Sequence, residues 1–514
     1  MAVNNLSLKK NLVYRFYETL PGIIVWIILG LGLFFTFLKP VFAIYFVIAF
    51  AFYWLIRAVY LAFLLFYSWS KYKKVIKIKW SEKLKTIKDW ENYYHLIFLA
   101  TYKEGVEIVR TTLQSLVSSN YPKNKFIVVL CGEERDKENF LKIAHQIERE
   151  FGHYFFKFLI TLHPKDLEGE IPGKGSNLHW AGEKALKFID NFCSPSSSSG
   201  PSALRCSGPS AYEKIIVSSF DIDTCVHQNY FAHLTYKYLT VEDPTRCSYQ
   251  PIAIFNNNIW QSSAIARVVA RSTTFWLFTE LSKSQLYFTF SSHSMSFKAL
   301  AEVGFWEKDV VSDDSRIFLQ CFIHYKGDYK TIPLYVPVYM DNVCAGSFLK
   351  TISNQYKQIL RWGYGAENVP YMLWFFSKNK KIPLLKKAKP LMNQFFGSCN
   401  WATVPILLVV LGNLPVFIAR LNGVKDAVVY NAPFILSWLM ALAMIGLFNM
   451  AILSTLLLPP KPQEKKNLSF LGMIFQWFLF PITMIAFGSI PAADGITRLM
   501  IGRYLNFRVT EKSR

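Results

Sequence analysis

Apolar residues follow two regimes along this chain. Residues 21–38 and 41–69 are almost uninterrupted apolar runs, and three more come late, at about 395–419, 434–458 and 468–490. Each run supplies the roughly 20 helical residues that a bilayer core requires. Only Lys39 and Pro40 separate the first two, which predicts a tight helical hairpin. The first run lacks a small-residue cleavage site and leads straight into the second, so it reads as an anchor, not a leader. Arg57 falls inside the second run, where it must snorkel, pair or face protein. Pro481 and Pro491 are placed to break the last run into a re-entrant pair, which leaves the side of the C-terminus open.

The middle of the chain changes period. Short apolar runs such as HLIFLA (95–100) and FIVVLC (126–131) suit buried strands. They alternate with helical spacing, as at Val106, Val109, Leu113, Leu116 and Val117, and again over 137–150 and 177–189. Further strands fall at 157–162 and 214–220. This alternation predicts a largely parallel sheet covered on both faces. Such sheets bind ligands just beyond the carboxyl ends of their strands. A Ser/Pro/Gly-rich stretch, SPSSSSGPSALRCSGPS, interrupts the pattern within 193–211 and reads as a flexible insert.

Charge placement bears on the solvent of this middle domain. The formal charge of +22 admits nucleic-acid binding, but much of the excess flanks apolar runs. Lys9, Lys10 and Arg15 precede the first; Lys71, Lys73, Lys74, Lys77 and Lys79 follow the second. That placement argues against nucleic acid, and fits the cytoplasmic face of a plasma membrane and its anionic lipids. Residues 371–389, with Trp374, Phe375 and Phe376 among lysines, read as an interfacial segment; a solvated connector is the plainer alternative. The eight cysteines show no CxxC spacing, so a zinc site is not expected. The chain divides into a hairpin (1–70), a cytoplasmic domain (71–370), an interfacial segment (371–394), a helical membrane region (395–499) and a basic tail (500–514).

Candidate chemistry follows the strand ends. Glu133 and Glu134 come after FIVVLC. Asp221 and Asp223 come after VSSF. At a turn, two such carboxylates meet one hard cation that also bridges phosphate oxygens. Ser312, Asp313 and Asp314 precede RIFLQCF. They suit a helix N-cap and also a general base; Ser312 or Asp313 can cap while Asp314 works. Gln358, Arg361 and Trp362 share one helical face, offering a guanidinium for phosphate and an indole for a sugar ring. An amphipathic surface helix is the plainer reading of that spacing.

Taken together and in order, these residues resemble the membrane-bound family 2 glycosyltransferases, within them the cellulose-synthase-like group. The resemblance spans about 94–362. TYKEG (101–105) is similar to the family's TYNE opening, Gly173-Lys174 with Asn177 to its GKxxN element, and Asp221/Asp223 to its DxD. Asp313-Asp314 stands where the family has Glu-Asp, and Gln358, Arg361 and Trp362 match QxxRW. FRVTEK (507–512) is like the tail of these synthases. Cys131-Gly132-Glu133-Glu134 departs from the usual Asp-Asp-Gly.

The resemblance implies an α/β GT-A-like, Rossmann-like cytoplasmic domain inserted between transmembrane helices. It implies a nucleotide-sugar donor, a UDP-sugar, contacted by Thr101, Tyr102, Glu104, Glu133, Lys174, Asn177, Asp221, Gln358, Arg361 and Trp362. It also implies Mg²⁺ or Mn²⁺ on Asp221 and Asp223, and Asp314 as base beside Asp313. The product is then a polysaccharide made processively; transfer of one sugar to a lipid acceptor, or a non-catalytic transporter or scaffold of the same fold, are the alternatives. Sugar, acceptor, linkage and partner subunits are not encoded legibly.

Overall fold

A computed structural model describes residues 8–193, 209–283, 288–463 and 468–505. Most of the Ser/Pro-rich insert and the 507–512 tail lie outside the described residues.

The domain is built on an eight-stranded sheet, β1 (Tyr94–Ala100), β2 (Phe126–Glu133), β3 (Lys157–His163), β4 (Ile215–Asp221), β5 (Cys225–Val226), β6 (Cys247–Phe255), β7 (Ser294–Ser296) and β8 (Lys330–Met340). The order across it is β3-β2-β1-β4-β7-β6-β8-β5. The predicted parallel pairing holds for β3-β2-β1-β4 and for β6-β8, but β7 runs antiparallel to both its neighbours. The sheet is therefore mixed. β7 is only three residues long, too short to announce itself as a strand by periodicity.

Burial on both faces explains the apolar strands. Ile97 and Leu99 of β1 face Leu113 and Leu116 of α3 (Val106–Val117) and Phe140 and Ile147 of α4 (Lys137–Phe151). Leu96 and Phe98 face Leu178, Ala181 and Ala185 of α5 (Lys174–Cys193) on the other side. Gly132 permits one close approach, since a Cβ there would stand 2.4 Å from the Phe140 ring.

The described structure has five helices long and apolar enough to cross a membrane. α1 (Leu12–Leu38) and α2 (Pro40–Val75) form the predicted hairpin, with Pro40 at the first turn of the second helix. At 36 residues α2 outruns a bilayer core, and its last turns dock Trp69 and Tyr72 on Phe278 of α7 (Ala264–Leu281), beside α6 (Tyr230–Thr240). Arg57 packs over the Trp54 ring, 5.6 Å from its centroid. After α8 (Phe297–Glu302), α9 (Asp313–His324), α10 (Phe348–Gly363) and α11 (Asn368–Lys378), the chain rises in α12 (Leu384–Leu421) and returns in α13 (Ala427–Leu456). Val416 and Val428 meet Ile44 near the hairpin tip, whereas Leu453 and Leu457 rejoin Ile252 of the sheet.

The fifth apolar stretch behaves differently. α14 (Leu468–Phe475) places Met473 on Ile259 and Trp260 of the domain, and Gln476 accepts from Arg267 Nε at 2.7 Å. A π-helical turn, Ile485–Ser489, follows, and α15 (Ile490–Met500) then packs along α10. Here a Cβ on Gly363 would lie 2.6 Å from Ala492 Cα, and one on Gly495 2.7 Å from the Leu360 carbonyl. Arg15, at the domain end of α1, donates to the Met500 carbonyl at 3.0 Å. Both ends of residues 468–500 thus touch the domain. Leu471–Met500 is long and apolar enough to count among the five candidate spans, yet it is the one whose two ends both contact the domain or its neighbouring helix end.

Residues 371–389 are divided. Tyr371, Met372 and Phe376 are buried in the domain core, and α12 already begins at Leu384. Trp374 packs edge-on against Tyr14 of α1. The first turns of this segment are therefore a seam between domain and membrane helices.

Candidate functional site

The carboxyl ends of β1, β2 and β4 open on one cleft. After β1, Lys103 adopts a positive φ of 67°, and the turn closes as Thr101 Oγ1 donates to Glu104 Oε2 at 2.9 Å. The Thr101 N–H and the Asn177 side-chain amide both donate to the Cys131 carbonyl, at 2.9 and 3.0 Å. Asn177 therefore ties α5 to the end of β2. Tyr102 lies under the Arg135 guanidinium, 4.7 Å from ring centroid to carbon.

Glu133 is buried at the end of β2 and accepts from Arg135 Nε at 2.8 Å. Burial raises its carboxyl pKa, with Arg135 pulling the other way. Beside it, His163 Nε2 and Glu170 Oε2 lie 2.7 Å apart. Glu133, Arg135, His163, Lys165 and Glu170 line a shallow surface recess.

The centre of the cleft is Lys174, at the first turn of α5. Its Nζ donates to Asp221 Oδ1 at 2.7 Å and to Asp314 Oδ1 at 2.9 Å. Burial works against its charge, but the Asp221 and Asp314 carboxylates more than offset this and hold its pKa above the ordinary lysine value. The chain turns at Asp221, where the Thr224 N–H donates to the Asp221 carbonyl at 2.9 Å. Ser291 Oγ donates to Asp221 Oδ2 at 2.6 Å, and the Asp341 N–H to Asp223 Oδ2 at 2.9 Å. Asp221 is partly exposed and Asp223 buried.

Asp313 and Asp314 open α9 but in unequal surroundings: Asp313 is buried, while the Asp314 side chain keeps 23 % of its surface exposed. Ser312 stands at the N-cap, yet no side chain caps the helix there. Its hydroxyl donates instead to Glu367 Oε1 at 2.7 Å, which corrects the capping expectation. Burial first, and the Asp314 carboxylate second, push the Asp313 pKa up to about 7.

A carboxyl raised in the folded state binds a proton there that the unfolded chain releases. Its contribution to stability is full below the unfolded pKa, near 4, and is lost as pH rises through about 7. With divalent cations chelated, Asp313→Asn is expected to flatten the fall in Tm between pH 5 and 8. The variant should gain at least about 1 kcal/mol on the parent across that window. Parallel Tm profiles would show that Asp313 carries no such proton.

On α10, Gln358 is buried and accepts from Gln355 Nε2 at 3.1 Å. Gln358 and Trp362 line a second recess of about 210 Å³ with Phe255, Val269, Asp341 and Asn342. Arg361 is close enough to lower the Asp313 pKa. The structure thus gathers Lys174, Asp221, Asp313, Asp314 and Arg361 in one charged cluster. Thr101, Tyr102, Glu104 and Glu133 lie along the β1 and β2 edge, and Gln358 and Trp362 beyond Asp341. Ser291, Asp341 and Glu367 were not foreseen. Their only signal is polarity in otherwise apolar surroundings.

Asp221 and Asp223 offer hard oxygens at a turn, and among the described residues no three of His, Cys, Asp or Glu form a ready-made metal cage. Two carboxylate residues at a turn are a donor set that Mg²⁺ takes when phosphate and water complete its shell.

A parallel-dominated sheet with this charged cleft, flanked by apolar helices, defines a membrane-associated GT-A-type domain. The chain belongs to the glycosyl transferase family group 2, whose family model matches residues 216–489. It is accordingly a family 2 glycosyltransferase, of the inverting GT-A type. Among solved structures it is similar to the mannosyltransferase PcManGT of Pyrobaculum calidifontis in complex with GDP-Man and Mn²⁺, at 14% identity and TM-score 0.40, over 85% of this chain and 99% of that one. It is also similar to S. aureus TarS 1–349 in complex with UDP-GlcNAc, at 12% identity and TM-score 0.35, over 70% and 90% respectively. No curated protein matches the sequence.

Proposed function

We propose that this enzyme takes a sugar from a metal-bound nucleotide-sugar donor and extends a glycan processively at the plasma membrane, from the cytoplasmic side. The observation that carries the chemistry is the Lys174 ammonium, which holds Asp221 and Asp314 within hydrogen-bonding reach of one atom. A donor-side carboxylate and a base are thereby set on either side of one point.

In this reading the nucleotide lies along Thr101, Tyr102, Glu104 and Glu133, with its base in the recess by Arg135 and His163; a UDP-sugar is the first donor to try. Asp221 and Asp223 would hold Mg²⁺ or Mn²⁺, whose charge would offset that of the departing diphosphate. Asp314 removes the proton from the acceptor hydroxyl, whose oxygen attacks the anomeric carbon. The bond to the diphosphate breaks on the opposite face, its electron pair leaving with the nucleotide. Lys174 and Arg361 face the charge that develops there. Asn177 supports the donor loop through the Cys131 carbonyl. Gln358 and Trp362 present the acceptor sugar, the indole stacking on its ring.

One observation favours a second reading, transfer of a single sugar to a lipid acceptor. Five helices among the described residues are long and apolar enough to cross, and the last of them contacts the domain side at both ends, which leaves a thin bundle to enclose a glycan channel. Membranes bearing the protein, incubated with radiolabelled nucleotide sugars and Mg²⁺ or Mn²⁺, separate the two by product size. High-molecular-weight label supports the synthase, and a one-sugar lipid supports the second reading. Absence of product from every donor, with added acceptor membranes, would overturn both.

A further inference from the structure

We propose that Glu367 is a positioning residue for transfer, fixing the Asp313-Asp314 turn relative to the Gln358-Arg361-Trp362 helix. The inference rests on the reading of Asp314 as the base. A single carboxylate oxygen, Glu367 Oε1, accepts from the Val311 N–H at 3.0 Å, the Ser312 N–H at 2.8 Å and Ser312 Oγ at 2.7 Å. Glu367 is buried, at 6 % exposure. It closes a short 3₁₀ turn, Tyr364–Glu367, that directly continues α10.

The neighbouring residue completes a clasp. Asn368 Oδ1 accepts from Arg316 Nε at 2.8 Å, and its Nδ2 donates to Ser315 Oγ at 2.8 Å. Arg316 is itself locked: it pairs with Glu307 at 2.7 Å and lies 3.9 Å from the Tyr371 ring centroid. Thus residues 311–316, which carry both aspartates, are held from one side by residues 367–371. The Ser312 side chain makes no cap hydrogen bond to its own helix, so its hydroxyl is given to Glu367, while its carbonyl accepts from the Arg316 N–H at 2.9 Å. The distance from Arg361 to Asp314 is therefore set through Glu367, six residues beyond Arg361 in the same chain.

A carboxylate that works by geometry and one that works by charge respond differently to substitution. Glu367→Gln keeps an accepting oxygen at the same reach, whereas Glu367→Asp keeps the charge and draws it back by one methylene. In full-length protein in membranes, with the donor found active in the panel, Glu367→Ala and Glu367→Asp should lower kcat about thirtyfold or more. Donor KM should stay within about twofold, because the nucleotide edge is untouched. Glu367→Gln should recover to within about threefold of the parent. Thermal stabilisation by the nucleoside diphosphate tracks folding in each variant; if the Ala variant does not accumulate, the Gln and Asp variants decide.

Asp314→Asn is run alongside. If it is inactive while Glu367→Ala keeps its rate, the Glu367 inference alone is overturned. Rescue by Asp but not Gln, or kcat and donor KM moving together, overturns it equally. If Asp314→Asn remains active, the base assignment fails and the inference falls with it.

Discussion

Asp314→Asn is expected to lower sugar transfer by about a hundredfold or more, the usual worth of a general base, while leaving donor binding intact. The asparagine keeps an oxygen that can accept from Lys174, which now donates at 2.9 Å, so the cleft should hold its shape. Only the proton acceptor is removed. Asp313 is poorly placed to substitute. It is buried, and burial, the larger of the influences that raise its pKa, persists when the Asp314 carboxylate is removed. Initial rates and nucleoside-diphosphate affinity, measured on the same preparation, separate the two effects. A variant retaining more than about a tenth of the rate would remove Asp314 from the base role.

The site was legible where chemistry sits at the end of a periodic element. β1, β2 and β4 are mostly apolar and buried on both faces, interrupted only by His95 in β1 and Ser218 and Ser219 in β4, so their ends, and Thr101, Glu133 and Asp221, could be found from the pattern. The DxD turn followed, because two carboxylates straight after a buried strand demand one. β7 and the Glu367 clasp were not legible. A three-residue strand has no period, and Glu367 meets Ser312 across 55 positions of sequence. A Glu-Asn pair set between Ala366 and Val369 announces buried polar contacts, but not which partners make them.

The membrane region was legible in composition and not in path. Length and hydropathy place five candidate spans, yet hydropathy cannot tell a crossing helix from one pressed against an apolar domain face. The proline and π-helical breaks near Pro481 and Pro491 let residues 468–500 follow that face. Gly363 and Gly495 then admit α15 to backbone contact with α10.

Lys174→Met should affect more than Asp314→Asn, because Lys174 touches both halves of the site. Its ammonium is buried between the Asp221 and Asp314 carboxylates, at 2.7 and 2.9 Å. Removing one partner of a buried charge cluster costs about 3–5 kcal/mol, since the remaining charges lose their counter-ion. Those carboxylates would repel the incoming diphosphate and each other. Asp313, whose pKa Lys174 now pulls down, would hold its proton to higher pH. The expected result is a fall in kcat of about a hundredfold or more, joined by a donor KM raised about tenfold. Asp314→Asn, by contrast, moves kcat alone. Titrating Mg²⁺ over the Lys174→Met enzyme gives the sharper test. A divalent ion shared between Asp221 and the diphosphate should restore part of the donor affinity but none of the link to Asp314, so KM recovers and kcat does not. Recovery of both would mean that Lys174 contributes charge alone; recovery of neither, with the fold intact, would place the cation elsewhere than Asp221.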